Sequence, residues 1–244
     1  MSKNAVKTFI SYGAFLLLVQ LIAACGPAEK SKAGASLDRQ DARTASANAA
    51  APTIEASESR ALVVAFGDSL FAGYQLGRDE GFAPVLERKL AQLGKPAQVY
   101  NAGVSGDTSA AGLRRLAYVL DGLPKKPDLV IVGFGGNDML RGLKPDETRK
   151  NLTAILDELD RRDIDAALAG MVAAPNMGRD YAQAFNPIYG DLAKRYNVPL
   201  YPFILDGVIG NEKLLLADGV HPNPQGVDKI AAGIAPTIAD ALDN

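Results

Sequence analysis

The sequence is poor in the residues that staple or metallate a fold: its 244 residues include one cysteine, Cys25, and one histidine, His221. A lone cysteine excludes an intramolecular disulfide. With a single histidine beside it, no recognisable zinc-ligand spacing remains, so no metal is expected. Basic excess is missing too. Lys and Arg total 26 against 28 Asp and Glu, a formal net charge of -2, which argues against a nucleic-acid partner. No Gly-x-x-x-x-Gly-Lys loop occurs, which argues against nucleotide hydrolysis, and no internal repeat is visible. No cofactor is expected.

The amino-terminal region is low in order-promoting patterns of the globular kind. Lys3 and Lys7 precede a mostly apolar stretch from Phe9 to Ile22, which runs into Ala23-Ala24-Cys25-Gly26. Small residues at the end of such a stretch mark a secretory cleavage site. The segment resembles a bacterial lipobox, which implies a signal peptide over 1–24 and lipidation of Cys25. An uncleaved signal anchor and a signal peptide without lipidation are the alternatives. Gly26, where an Asp would imply retention, implies sorting to the outer membrane. The expected address is the cell envelope, on a lipid anchor facing the periplasm. Residues 25–60 hold almost no large apolar side chains and cannot offset the entropy of ordering, so they read as a flexible tether. The folded unit is expected over 61–244.

Within that unit, strand and helix alternate. Leu62-Val63-Val64-Ala65-Phe66 is a short apolar run stopped by Gly67, the pattern of a buried parallel strand. Residues 71–74 read as a loop or short turn. A helix is expected over Gly81–Leu93, a strand over Ala97–Asn101, and a helix carrying Leu113, Leu116 and Leu120, capped by Asp107, Thr108 or Ser109. Asp128–Phe134 is hydrophobic on both faces and should be central. An amphipathic helix over Pro145–Arg162, a strand over Ala166–Met171, one helix over Tyr181–Tyr196 and an edge strand over Val198–Ile204 complete the alternation. Asn223 and Pro224 open a last helix. Five such alternations predict an α/β fold with a five-stranded parallel sheet between helical layers.

In such a sheet, ligands bind beyond the carboxyl ends of the strands. Ser69 lies just past the first strand, in Gly67-Asp68-Ser69. A serine hydroxyl is a weak nucleophile without a base, and His221 is the single histidine available. Asp218, three residues earlier in a loop bounded by glycine and proline, can turn its carboxylate onto the imidazole Nδ1–H and leave Nε2 free for Ser69. Acyl transfer also needs donors for an oxyanion. The backbone N–H groups of Ser69 and Gly106 and the side-chain amide of Asn137 can supply them. Each residue alone reads as ordinary turn chemistry.

Together, Gly67-Asp68-Ser69-Leu70, Gly106, Gly136-Asn137-Asp138 and Asp218-x-x-His221-Pro222 strongly resemble the four blocks of the SGNH (GDSL-type) hydrolase superfamily, in order. Asn101 to Ser109 and Gly135 to Gly142 look closest to its periplasmic thioesterase, lysophospholipase and arylesterase branch. The resemblance implies a three-layer α/β/α fold with flavodoxin-like strand order and hydrolysis of acyl esters or thioesters. It implies Gly106, rather than Gly103, as oxyanion donor. The expected enzyme is a carboxylic ester hydrolase with catalytic Ser69, Asp218 and His221 and an oxyanion hole of Ser69, Gly106 and Asn137. Its alternatives are an O-acetyl esterase of envelope polysaccharide and a non-catalytic binding lipoprotein. Loops 72–82, 139–145 and 172–182, with Met139, Leu140 and Met177, are expected to wall the acyl site.

Overall fold

The central apolar runs of the chain can bury both faces only if helices cover the sheet above and below. The computed structural model shows that solution and describes residues 60–243. The expected anchor cysteine Cys25, the signal segment and nearly all of the tether lie outside the described residues. Strand β1 (Ala61–Gly67) is buried over six of its seven residues. It pairs in parallel with β2 (Ala97–Asn101) on one side and β3 (Leu129–Gly133) on the other. Strand β4 (Ala166–Ala169) and a two-residue β5 (Leu200–Tyr201) extend the sheet, giving the order β2-β1-β3-β4-β5 with all pairs parallel. The chain thus has the α/β architecture and strand order expected of it.

A four-residue helix, α1 (Ser69–Ala72), follows β1 in place of the expected loop. Asp68 causes it: the side chain accepts the Leu70 N–H at 3.1 Å, supplying the cap that starts a turn of helix. Helix α2 (Phe82–Gln92) packs against the last helix, α8 (Pro224–Ala241). The other main helices, α3 (Ser109–Asp121), α5 (Pro145–Arg161) and α7 (Pro187–Tyr196), form a second packed group, with α3 on α5 and α5 on α7. Between β3 and α5 lies the short helix α4 (Gly136–Leu140). Of the three residues offered as cap for α3, Thr108 takes the role, accepting the Ala111 N–H.

Two expectations need correction. The helix expected over 181–196 is two helices, α6 (Arg179–Phe185) and α7, meeting at Asn186. Pro187 lacks an N–H and cannot continue a helical ladder from the turn before it. The edge strand expected over 198–204 pairs only at Leu200 and Tyr201, because Pro199 and Pro202 flank it without donors. Pro236 lies inside α8.

Candidate active site

Gly67 ends β1 in a space that accepts no side chain: a Cβ there would lie 2.5 Å from the Phe71 ring and 2.7 Å from the Gly133 carbonyl oxygen. The chain therefore turns tightly, and Ser69 emerges at the start of α1 on the carboxyl edge of the sheet. His221 reaches it from the far end of the domain, with Nε2 2.9 Å from the Ser69 hydroxyl oxygen. On its other side, His221 Nδ1 lies 2.7 Å from Asp218 Oδ2. A proton on Nδ1 donates to the carboxylate and leaves Nε2 to accept from the Ser69 hydroxyl.

The Asp218 loop is built by its own backbone. Oδ1 accepts the N–H groups of Val220 at 2.9 Å and His221 at 3.0 Å. Those two N–H groups, followed by the imidazole, hold the Asp218 carboxyl at about 2, below the usual carboxylate range. Behind it, Leu216 N–H donates to the His221 carbonyl, and Asn223 caps α8 through the N–H groups of Gln225 and Gly226. The imidazole is thus fixed to the amino end of a long helix. The Tyr74 ring packs against it, centroids 4.4 Å apart.

The two remaining expected donors face the same rim. Gly106 sits at φ +84°, where a side chain would be strained, and its carbonyl accepts from Arg141 at 2.6 Å. Asn137, in α4, donates through Nδ2 to the Asp107 carbonyl at 3.0 Å and lies 3.4 Å from Asp68 Oδ2. The next residue, Asp138, is fully buried and anchors α4 to α3 and α5. It accepts from the Ser109 N–H at 2.8 Å, from the Ser109 hydroxyl and from Thr148. Asn151 completes this network by donating to the Ser109 hydroxyl at 3.0 Å.

Asp68 is readable from sequence only as a turn residue. In the fold it is 3% exposed. Burial pushes its carboxyl up to about 6, against the opposing pull of the Leu70 N–H and of His221, while Asp138 and Asp107 push the same way as burial.

Beside Ser69 and Asn137 opens a cleft of about 470 Å³. Met139 and Leu140 line it, as expected, and so do residues 172–175. Met177 does not; it packs against the core. The 72–82 loop does not line this cleft; its Tyr74 and Leu76 line a small adjoining hollow together with Ser69 and His221. Phe203, Leu205, Ile209 and Val220 also line the cleft, and sequence reasoning missed them. Their only sequence signal is apolar residues in an irregular stretch, which ordinary packing also produces. A second hollow, about 440 Å³, lies at the amino ends of β3 and β4, away from Ser69 and His221. Among the described residues, no group of three His, Cys, Asp or Glu side chains could hold a metal ion, and no helix is long and apolar enough to cross a membrane.

A serine on an imidazole on a carboxylate, beside an apolar cleft at the rim of a parallel sheet, suits an ester hydrolase. Comparison with known proteins agrees. The chain is 36% identical over 190 residues to Esterase TesA of Pseudomonas aeruginosa, covering 78% of this chain and 92% of that one. It is 36% identical over 183 residues to thioesterase 1/protease 1/lysophospholipase L1 of Escherichia coli K12, covering 75% and 85%. The crystal structure of AlinE4, an SGNH-hydrolase family esterase, superposes with a TM-score of 0.64 at 48% identity, over 75% of this chain and 96% of that one. The pattern of the GDSL-like Lipase/Acylhydrolase family matches residues 65–229. The chain belongs to that family, and it is a carboxylic ester hydrolase.

Proposed function

We propose that the enzyme cleaves acyl esters through a covalent acyl-enzyme on Ser69. His221 Nε2 takes the hydroxyl proton as Ser69 Oγ bonds to the acyl carbon, and the carbonyl electron pair moves onto oxygen. The Ser69 and Gly106 N–H groups and the Asn137 amide hold that oxyanion. As it collapses, His221 passes the proton to the departing oxygen or sulfur. Water, deprotonated by the same imidazole, then attacks the acyl-enzyme and releases the acid and the serine. Asp218 keeps the imidazole in the right tautomer and stabilises its cation. The observation that carries this reading is the unbroken chain Ser69–His221–Asp218, with contacts of 2.9 and 2.7 Å.

The apolar cleft favours an aliphatic acyl group over acetyl, and so supports an arylesterase, lysophospholipase or thioesterase type of substrate above O-acetylated polysaccharide. The Escherichia coli relative's name carries two of these activities. On the same reading the domain, from residue 61 onward, hangs on a tether of residues 25–60 attached through lipidated Cys25 at the periplasmic face of the cell envelope. Replacing Ser69 with Ala tests the chemistry. Hydrolysis of p-nitrophenyl esters and labelling by a fluorophosphonate should vanish while circular dichroism and melting stay unchanged. A folded Ser69→Ala protein with full esterase activity would end the proposal, and would revive the reading of a binding lipoprotein with incidental hydrolysis elsewhere.

A further inference from the structure

Arg115 lies in α3, outside the four sequence blocks that carry the chemistry, yet it reaches across the rim to both reacting loops. Its Nε donates to Asp107 Oδ2 at 2.6 Å, and its Nη2 donates to the Gly67 carbonyl at 3.0 Å. Gly67 precedes Asp68-Ser69, and Asp107 comes directly after Gly106. The guanidinium carbon lies over the Phe66 ring, 4.5 Å from its centroid. The pair is mostly sheltered, Arg115 and Asp107 side chains being 20% and 15% exposed. Asp107 is gripped twice: its carboxylate by Arg115, and its main-chain carbonyl by the Asn137 amide at 3.0 Å.

We propose that Arg115 is a positioning residue for the oxyanion site: through Asp107 it fixes the Gly106 loop and the Asn137 amide relative to the Ser69 strand end. It touches no reacting atom. A rigid fork of donors spanning two loops sets their separation, which a single flexible ammonium does less well. Donors that must meet a developing charge lose effect steeply when misplaced; an error of about 1 Å can cost roughly 100-fold. The inference rests on the acyl-enzyme reading above.

The test measures kcat, KM and fluorophosphonate labelling rate for Arg115→Met, Arg115→Lys, Asp107→Ala and the Arg115→Met/Asp107→Ala pair, with melting curves for each. Methionine keeps apolar cover on Phe66. The expected result is a fall in kcat of about 10- to 100-fold for Arg115→Met and Asp107→Ala, with KM within about twofold and labelling slowed in parallel. Arg115→Lys should recover part of the rate, and the double variant should be no slower than the worse single one. Folded variants with unchanged kcat, or losses that multiply in the double variant, would overturn the proposal. Should Arg115→Met fail to fold, Asp107→Ala decides the matter on the same readouts. Ser69→Ala is run alongside. If it retains activity, the acyl-enzyme reading falls; if it is silent while Arg115→Met and Asp107→Ala run at full rate, only the role of Arg115 falls.

Discussion

Replacing Asp68 with Asn should make the protein more stable at neutral pH and less stable in acid. In the folded chain, burial raises the Asp68 carboxyl from 3.8 to about 6. The native state therefore holds this proton more tightly than the unfolded chain does. The stability it contributes is full below the unfolded value and is lost as pH rises through about 6. Roughly two pH units at 1.36 kcal/mol each amount to about 3 kcal/mol across that window. The amide of Asp68→Asn cannot ionise, so the variant escapes the loss. Against this, the amide oxygen can hold the Leu70 N–H only by turning its NH₂ toward Asn137, forfeiting one hydrogen bond at about 1 kcal/mol whatever the pH. The net expectation is a gain of about 2 kcal/mol at pH 7.5 and a deficit of about 1 kcal/mol near pH 4. Urea unfolding of both proteins, monitored by circular dichroism from pH 4 to 8, reads the difference directly. The decisive quantity is its pH dependence: a stability difference that stays flat from pH 4 to 8 refutes the reasoning, whatever its size.

Four further outcomes are expected from particular contacts. Asp218→Asn should lower kcat at least tenfold, because an amide there stabilises the wrong tautomer of His221. Since the carboxyl is held at about 2, wild-type activity should show no loss from Asp218 protonation down to about pH 4, which a pH–rate profile of Asp218→Asn against wild type checks. Gly112→Ala should lower the melting temperature by several degrees even though alanine favours helix by about 1 kcal/mol, since its Cβ would lie 2.4 Å from the buried Phe134 ring. Calorimetry of the variant tests that. Finally, kcat/KM for p-nitrophenyl esters should rise about fourfold per added methylene beyond acetate until the cleft is full, at about 0.8 kcal/mol per buried CH₂. A profile falling from acetate onward contradicts the assignment of an aliphatic acyl site.

Local chemistry explains what was legible in the sequence. Strand β3 is apolar at every position, and that alone marks it as central. Ser69, Asp218 and His221 were readable because the hydroxyl had only one imidazole to choose. Gly106 and Asn137 were readable only as members of an ordered set. Residues whose role comes from long-range contact were invisible. Asp68 looks like any turn aspartate until the fold buries it. Arg115 looks like a helix-surface cation until β1 and the 106–107 loop arrive on either side. The break at Asn186 was hidden because Phe185, Ile188, Tyr189 and Leu192 keep helical spacing through it. The joint has a use: Asn186 Oδ1 accepts the Ala173 N–H at 2.8 Å, tying the cleft wall to the core.

Ser69 and His221, in contact in the fold, are separated by 152 positions along the chain. During synthesis the Ser69 hydroxyl is made well before His221 and α8, so on the proposed mechanism a partly grown polypeptide lacks the base that activates it. Helix α8 docks on α2, the next long helix after the serine, with Lys89 and Asp228 2.7 Å apart across the seam. On the proposed acyl-enzyme mechanism, competence toward a fluorophosphonate requires that α8 has seated, and the time course of labelling in a translation reaction reports that event.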